Sequence, residues 1–191
     1  QGYTKIFAKV PATLRGYFKE DDYRQEACVP GFYNGRTAAV FLARYFSPDR
    51  AQDPRQETID QILEIAEQKA DAPATEPPSS FSFREAGFDD APEMAEVYKE
   101  VFESYPFPIH DPAYLRETME THIRYFCAFE DGRMAAVSSC EMDRDARNVE
   151  MTDFATRPVH RKKGLACKLL HIMEEAMHRD GMKTLYTIAR A

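Results

Sequence analysis

The spacing of apolar positions changes several times along the chain, and each change marks an element. Residues 5–10 read as a short strand, 11–21 as helix-compatible, 24–32 as extended and 37–46 as an apolar strand. Gly31 to Gly35 (GFYNG) forms a turn cluster before the last of these. Ile59, Ile62, Leu63 and Ala66 then recur at helical spacing. Asp53 is placed to cap that helix, and Pro54 suits its first position, so a packing helix is predicted over 53–70. A proline-rich stretch (DAPATEPPSS, 71–80) follows as a linker. Beyond it, 81–85 alternates as a strand, and Asp90 with Glu93 resembles a capping box. Met94, Val97, Tyr98, Val101 and Phe102 make a helical stripe, and Asp111-Pro112 opens a second helix to 120. Two alternating runs, 123–129 and 134–142, flank Glu130-Asp131-Gly132 and predict a hairpin; 149–156 is a third strand. Leu165, Leu169, Leu170, Met173, Ala176 and Met177 share one face of a long helix ended by Gly181, and 184–188 is the last strand. The order β-α-α-β-β-β-α-β over 81–188 predicts an α/β fold, a mixed sheet flanked by helices, and not a Rossmann alternation.

Composition narrows the function. With 43% hydrophobic and 30% charged residues among 191, the chain can fold a core. Its longest apolar run, Ala38 to Ala43, falls far short of the roughly 20 residues a membrane-spanning helix needs. Twenty-five basic against 32 acidic residues give a net charge of −7, which argues against nucleic acid and anionic membranes and suits a cationic substrate. Cys28, Cys127, Cys140 and Cys167 lie far apart without metal-ligand spacing, so they read as reduced core thiols of a cytoplasmic protein, and no metal site is expected. The start at Gln1 in place of methionine reads as a trimmed chain.

The chemistry concentrates in Arg157 to Ala166 (RPVHRKKGLA), which follows a strand and opens an amphipathic helix. Amides at a helix start lack intrahelical partners and sit at the positive end of the dipole, so they stabilise anionic oxygens. Gly164 and Ala166 leave room for a phosphate beside the backbone, and Arg161, Lys162 and Lys163 add positive charge. Gly164 is the only glycine between Gly132 and Gly181, which excludes a dinucleotide GxGxxG loop and a Walker A loop.

Phe154-Ala155-Thr156-Arg157-Pro158, followed by Arg161-Lys162-Lys163-Gly164-Leu165-Ala166, resembles the acetyl-CoA motif of the GCN5-related N-acetyltransferase (GNAT) superfamily. The element order over 81–188 is similar to that fold through its fifth strand. The resemblance implies that the backbone of Phe154, Ala155 and Thr156 binds the pantetheine arm and acetyl carbonyl. The amides of 162–166, Leu165 included, would hold the pyrophosphate, with Lys162 standing where the family commonly has glycine. Four further stretches, GYTKIFAKVPA (2–12), PGFYNG (30–35), YPFPIHDP (105–112) and SSCEMDRDARNVEMTDFAT (138–156), resemble the β-lysine N-acetyltransferases. That implies acetyl-CoA as cosubstrate and a small amine, the side chain of β-lysine, as acceptor, giving a neutral compatible solute. The alternatives are a CoA-binding module without catalysis, or acetylation of another amine such as a polyamine or a protein N-terminus.

Amine acetylation needs a base to neutralise the ammonium and donors for the carbonyl oxyanion. Strict alternation puts Glu150, Thr152, Phe154 and Thr156 on one face of their strand, with Met151, Asp153 and Ala155 on the other. Glu150 is therefore the first candidate for the base and Asp153 the second; the competing reading for each is a solvated carboxylate. Ser139 and Glu141 share a face of the neighbouring strand as candidate substrate contacts, Glu141 being equally suited to a salt bridge with an arginine of the 143–147 turn. Tyr105 and Phe107, with His110, lie in the loop expected to shape the acceptor site.

Residues 1–46 resemble the second half of a degenerate GNAT domain, Phe18 taking the place of the family's acid tyrosine and Asp22 that of a glycine. The expected organisation is a partial unit over 1–46, a bridging helix and linker over 47–80, and an acetyltransferase domain over 81–191. The strand containing Ile6 and the 37–46 strand are expected to pack against that domain, within one chain or by exchange in a homodimer, because so short a unit buries too little to stand alone.

Overall fold

In a computed structural model, which describes residues 2–18, 22–70 and 73–188, the chain forms two sheets. The first contains β1 (Lys5–Pro11), β2 (Arg24–Tyr33) and β3 (Thr37–Tyr45) in the order β1-β3-β2, antiparallel throughout. The helix-compatible stretch between β1 and β2 is a 3-10 helix, Ala12–Phe18; residues 19–21 of that prediction lie outside the described residues.

Two helices follow, α1 (Pro48–Ala51), a single turn before the predicted helix, and α2 (Gln56–Gln68). The second starts later than expected because the Arg55 amide donates to Asp53 Oδ1 at 2.8 Å, so Asp53 closes a local turn and does not cap the helix. No residue of α2 is buried, and Ile62 and Leu63 are about half exposed at 44% and 55%. The apolar stripe was expected to pack between the two units; here it faces outward.

The second sheet runs β4 (Phe81–Glu85), β5 (Ile123–Glu130), β6 (Arg133–Asp143), β7 (Asn148–Thr156) and β8 (Thr184–Tyr186) in that order. Its neighbours pair antiparallel except β7 and β8, which are parallel. The β5–β6 hairpin turns on Asp131 and Gly132, both left-handed at φ +51° and +77°. Helices α3 (Ala91–Val101) and α4 (Pro112–Thr121) cover one face, and α5 (Leu165–Arg179) the other. Alternation along β5 feeds both layers: Ile123, Tyr125, Cys127 and Phe129 pack under α3 and α4, while Phe126 and Ala128 pack under α5. Asp90 and Glu93 do not form a capping box. The Asp90 carboxylate receives the Gly87 amide and Arg84, and Glu93 receives the Met134 amide at 2.8 Å, which ties α3 to β6. Asp111 does cap α4, accepting from the Ala113 amide at 2.9 Å. Cys127 and Cys140 are buried thiols as expected, whereas Cys28 is exposed and Cys167 is only partly covered.

The two sheets meet through the end of β2. Between Val29 and Tyr33 the β2–β3 register shifts, and the intervening residues bulge toward β8. The Asn34 amide donates to the Ala146 carbonyl at 2.6 Å, Asn148 Nδ2 to the Phe32 carbonyl at 3.1 Å, and Thr184 Oγ1 to the Gly31 carbonyl at 2.7 Å. Gly31 is left-handed at φ +65°, and a Cβ there would sit 3.2 Å from Thr184 Oγ1. Phe32, 1% exposed, lays its ring 5.3 Å from that of Tyr186. The contact runs through the PGFYNG segment and, as expected for the 37–46 strand, through Ala39 and Phe41 of β3, whose small core Tyr186 joins; Ile6 of the other strand expected there is exposed.

Candidate active site

The site is built on an irregularity in β7. Val137 of β6 faces Ala155 and Ser139 faces Thr152, so two β7 residues, Asp153 and Phe154, oppose Ser138 alone. Asp153 takes the extra position in a left-handed conformation, φ +55°. Past that point the alternation slips. Glu150, Thr152 and Asp153 line one cleft, while Phe154 packs toward the core under α5 and Thr156 lines a separate hollow. Asp153 thus shares the Glu150 face, and Phe154 and Thr156 leave it, the reverse of strict alternation.

The cleft holds about 470 Å³. Its carboxylates are Glu141, Glu150 and Asp153, and its aromatic walls are Tyr105, Phe107, Tyr114 and Tyr125. Glu141 and Glu150 are direct cross-strand partners. Burial, followed by the charge of Glu141, holds the Glu150 carboxyl above the ordinary glutamate range, against a hydrogen bond from Tyr186 that lowers it. Tyr186 stands beside Glu150 in the parallel β7–β8 register, and its own ionisation is pushed up by burial and the same carboxylate. Asp153 accepts from Ser139 Oγ at 2.6 Å and from the Tyr105 hydroxyl. Ser139, expected as a substrate contact, is fully buried, does not line the cleft and gives its hydroxyl to Asp153. Glu141 does line it, and its neighbour is His122 Nε2 at 3.8 Å, with no arginine of the 143–147 turn. Phe107 is 58% exposed at the mouth.

The second element of the site is the start of α5. Gly164, left-handed at φ +77°, stands at the N-cap with no side-chain cap, so the first amides of the helix have no intrahelical partner. They open onto a hollow of about 310 Å³ lined by Thr156, Arg161, Lys162, Gly164, Leu165 and Ala166. Lys163 turns away: its ammonium lies 3.8 Å from Glu130 Oε2 and 5.2 Å from the Phe81 ring centroid. Its side chain therefore does not add charge to the hollow, as had been expected. Gly164 is also constrained from behind, since a Cβ there would fall 1.9 Å from the Thr75 carbonyl oxygen of the linker. Beside the hollow, β8 pairs with Asn148 to Glu150, and among the described residues no strand pairs on that side with β7 from Met151 to Thr156. That open edge of backbone runs from the cleft toward the hollow.

Tyr114, His122, Tyr125, Thr152 and Tyr186 complete the surroundings and were not singled out from sequence. Tyr125 carries a usable signal, because it alternates inward on β5 opposite Ser139. Tyr186 carries none, since only the parallel register brings it to Glu150.

A model of the Acetyltransferase (GNAT) family matches residues 92–191. Beta-lysine N(6)-acetyltransferase of Methanococcus maripaludis is 35% identical over 188 residues, covering 98% of this chain and 68% of that protein. N-acetyltransferase YodP of Bacillus subtilis is 28% identical over 169 residues, covering 88% of this chain and 61% of that protein. Beta-lysine N(6)-acetyltransferase of Methanosarcina mazei is 36% identical over 114 residues, 60% of this chain and 42% of that protein. The chain thus spans between 42% and 68% of the length of these curated relatives. In fold it is similar to an aminoglycoside acetyltransferase from an uncultured soil metagenomic sample, with a TM-score of 0.51 at 15% identity over 58% of this chain and 78% of that one.

Proposed function

The chain belongs to the GNAT acetyltransferase family, and on that premise we propose that it transfers the acetyl group of acetyl-CoA to the side-chain amine of β-lysine. The observation that carries this reading is the pair of carboxylates, Glu150 and Asp153, set in an aromatic-walled cleft beside an open strand edge that leads to the α5 start. The names borne by the Methanococcus and Methanosarcina relatives support the choice of acceptor.

In this reading the pyrophosphate lies against the amides of Leu165 and Ala166, with Arg161 and Lys162 near it. The pantetheine amides pair with the free edge of β7 at Phe154, Ala155 and Thr156, as an added strand would. Acidic walls attract the protonated diamine. Glu150, whose burial and like-charged neighbour favour its protonated form, takes a proton from the ammonium, so that the neutral amine attacks the thioester carbonyl. The carbon–nitrogen bond forms, the carbon–sulfur bond breaks, and the thiolate takes up the amine's second proton. Asp153, held by Ser139 and Tyr105, fixes the acceptor's ammonium. The partner is a small molecule and the setting cytoplasmic.

Thiol release from acetyl-CoA tests it. Turnover with β-lysine should exceed that with α-lysine, polyamines or peptide N-termini. Equal rates on all acceptors would remove the substrate assignment, and a saturable thermal shift with CoA but no product would leave only a binding module.

A further inference from the structure

The cleft as described is acidic, yet an amino-acid acceptor brings a carboxylate as well as ammonium groups. Glu141, Glu150 and Asp153 suit the ammonium groups and repel the carboxylate. The basic side chain in the cleft wall, His122, already faces Glu141 at 3.8 Å. A counter-charge for the acceptor's carboxylate has to come from elsewhere.

The first sheet lines no part of the cleft but approaches it behind Tyr186. Lys9 pairs across strands with Phe41 on β3, and Phe41 belongs to the same small core as Phe32. The Lys9 ammonium stands 4.7 Å from the Phe32 ring centroid, the Phe32 ring lies 5.3 Å from that of Tyr186, and Tyr186 is hydrogen-bonded to Glu150. A continuous stack therefore leads from Lys9 to the cleft wall, and Lys9 is a cation whose charge acts on Glu150. Its ammonium is exposed and donates no hydrogen bond to any described protein group, so it keeps three donors for a ligand. We propose that Lys9 of the first sheet recognises the carboxylate of the amino-acid acceptor, so that the docked N-terminal unit sets acceptor specificity. This rests on the proposed acetylation of β-lysine and deepens it: the acceptor is a diamino acid read at both ends, not a simple diamine.

The test compares β-lysine with β-lysinamide, which keeps both amines and replaces the carboxylate by a neutral group. The full chain should favour β-lysine. Lys9→Met, which retains most of the apolar stem, should narrow that preference about tenfold through a higher KM for β-lysine, the size expected for one charge-assisted contact. Lys9→Arg should restore the preference. If the unaltered protein accepts the amide as readily as β-lysine, or if Lys9→Met changes both substrates alike, the Lys9 assignment is wrong while acetyl transfer to the amine stands. If neither compound is acetylated but another amine is, the acceptor reading itself falls and takes this assignment with it.

Discussion

Glu150 carries the first prediction at the scale of single residues. Burial and Glu141 raise its pKa, so kcat/KM should climb with pH through a value above the ordinary carboxylate range as the base form appears. Glu150→Gln should remove that limb and lower kcat by about 100-fold, with little change in KM for acetyl-CoA, as steady-state profiles would record. The stability effect has the opposite sign. A carboxyl whose folded pKa is raised stabilises the fold most at low pH, and that contribution is lost as pH rises through the folded value. Glu150→Gln should therefore unfold at higher urea than the parent at neutral pH and lose that advantage in acid. Lys162 gives a second test, because a non-glycine residue at φ +64° costs about 1 kcal/mol. Lys162→Gly should raise the urea midpoint and still bind CoA; an unchanged midpoint would mean that the loop is not strained. At this scale the sequence was readable where chemistry and period agree, as at Glu150 and Glu141. It misled at Asp153 and Phe154, since one extra residue in β7 reverses every later face and leaves no compositional mark.

Elements were legible where a period or a start signal was present: α3 and α5 fall where their apolar stripes put them, α4 where Asp111-Pro112 opens it, and the β5–β6 hairpin follows from Asp131-Gly132. What escaped is settled by hydrogen bonds between neighbours in space. Asp53 spends its carboxylate on the Arg55 amide, Glu93 reaches Met134, and β7 bulges against Ser138. The bulge is held by a bond that can be removed singly, from the fully buried Ser139 to Asp153. Ser139→Ala takes one donor from a carboxylate that keeps the Tyr105 hydroxyl, so stability should fall by about 1–2 kcal/mol in chemical denaturation. Because Asp153 then loses its fixed orientation, KM for the acceptor should rise more than KM for acetyl-CoA. Equal changes in the two constants would assign Ser139 to packing alone.

On the scale of the whole molecule, the question is what holds the two sheets together, and the sequence offered only the motif PGFYNG without its use. The structure uses it as a hook. Its bulge lifts Phe32 onto Tyr186 and presents backbone groups to β8 and to the turn before β7. Asn148, 2% exposed, is a buried polar side chain in that junction, donating to the Phe32 carbonyl at 3.1 Å. Asn148→Ala leaves that carbonyl without a partner, which costs about 1–3 kcal/mol. Asn148→Asp should cost more near neutral pH, because an ionised carboxylate then faces a carbonyl oxygen with no donor between them. The introduced carboxyl should have a raised pKa there, so the loss should be smallest in acid, where its hydroxyl can donate, and should grow as pH rises through that value. Hydrogen exchange localises the effect. The Asn34 amide, bonded to the Ala146 carbonyl at 2.6 Å, should lose protection in both variants before the core of α5 does. If the first sheet delivers Lys9 to the acceptor, the same variants should raise KM for β-lysine while CoA still binds at the start of α5. Protection at Asn34 that survives Asn148→Asp at neutral pH would show that Phe32 packing, and not this hydrogen bond, seats the unit.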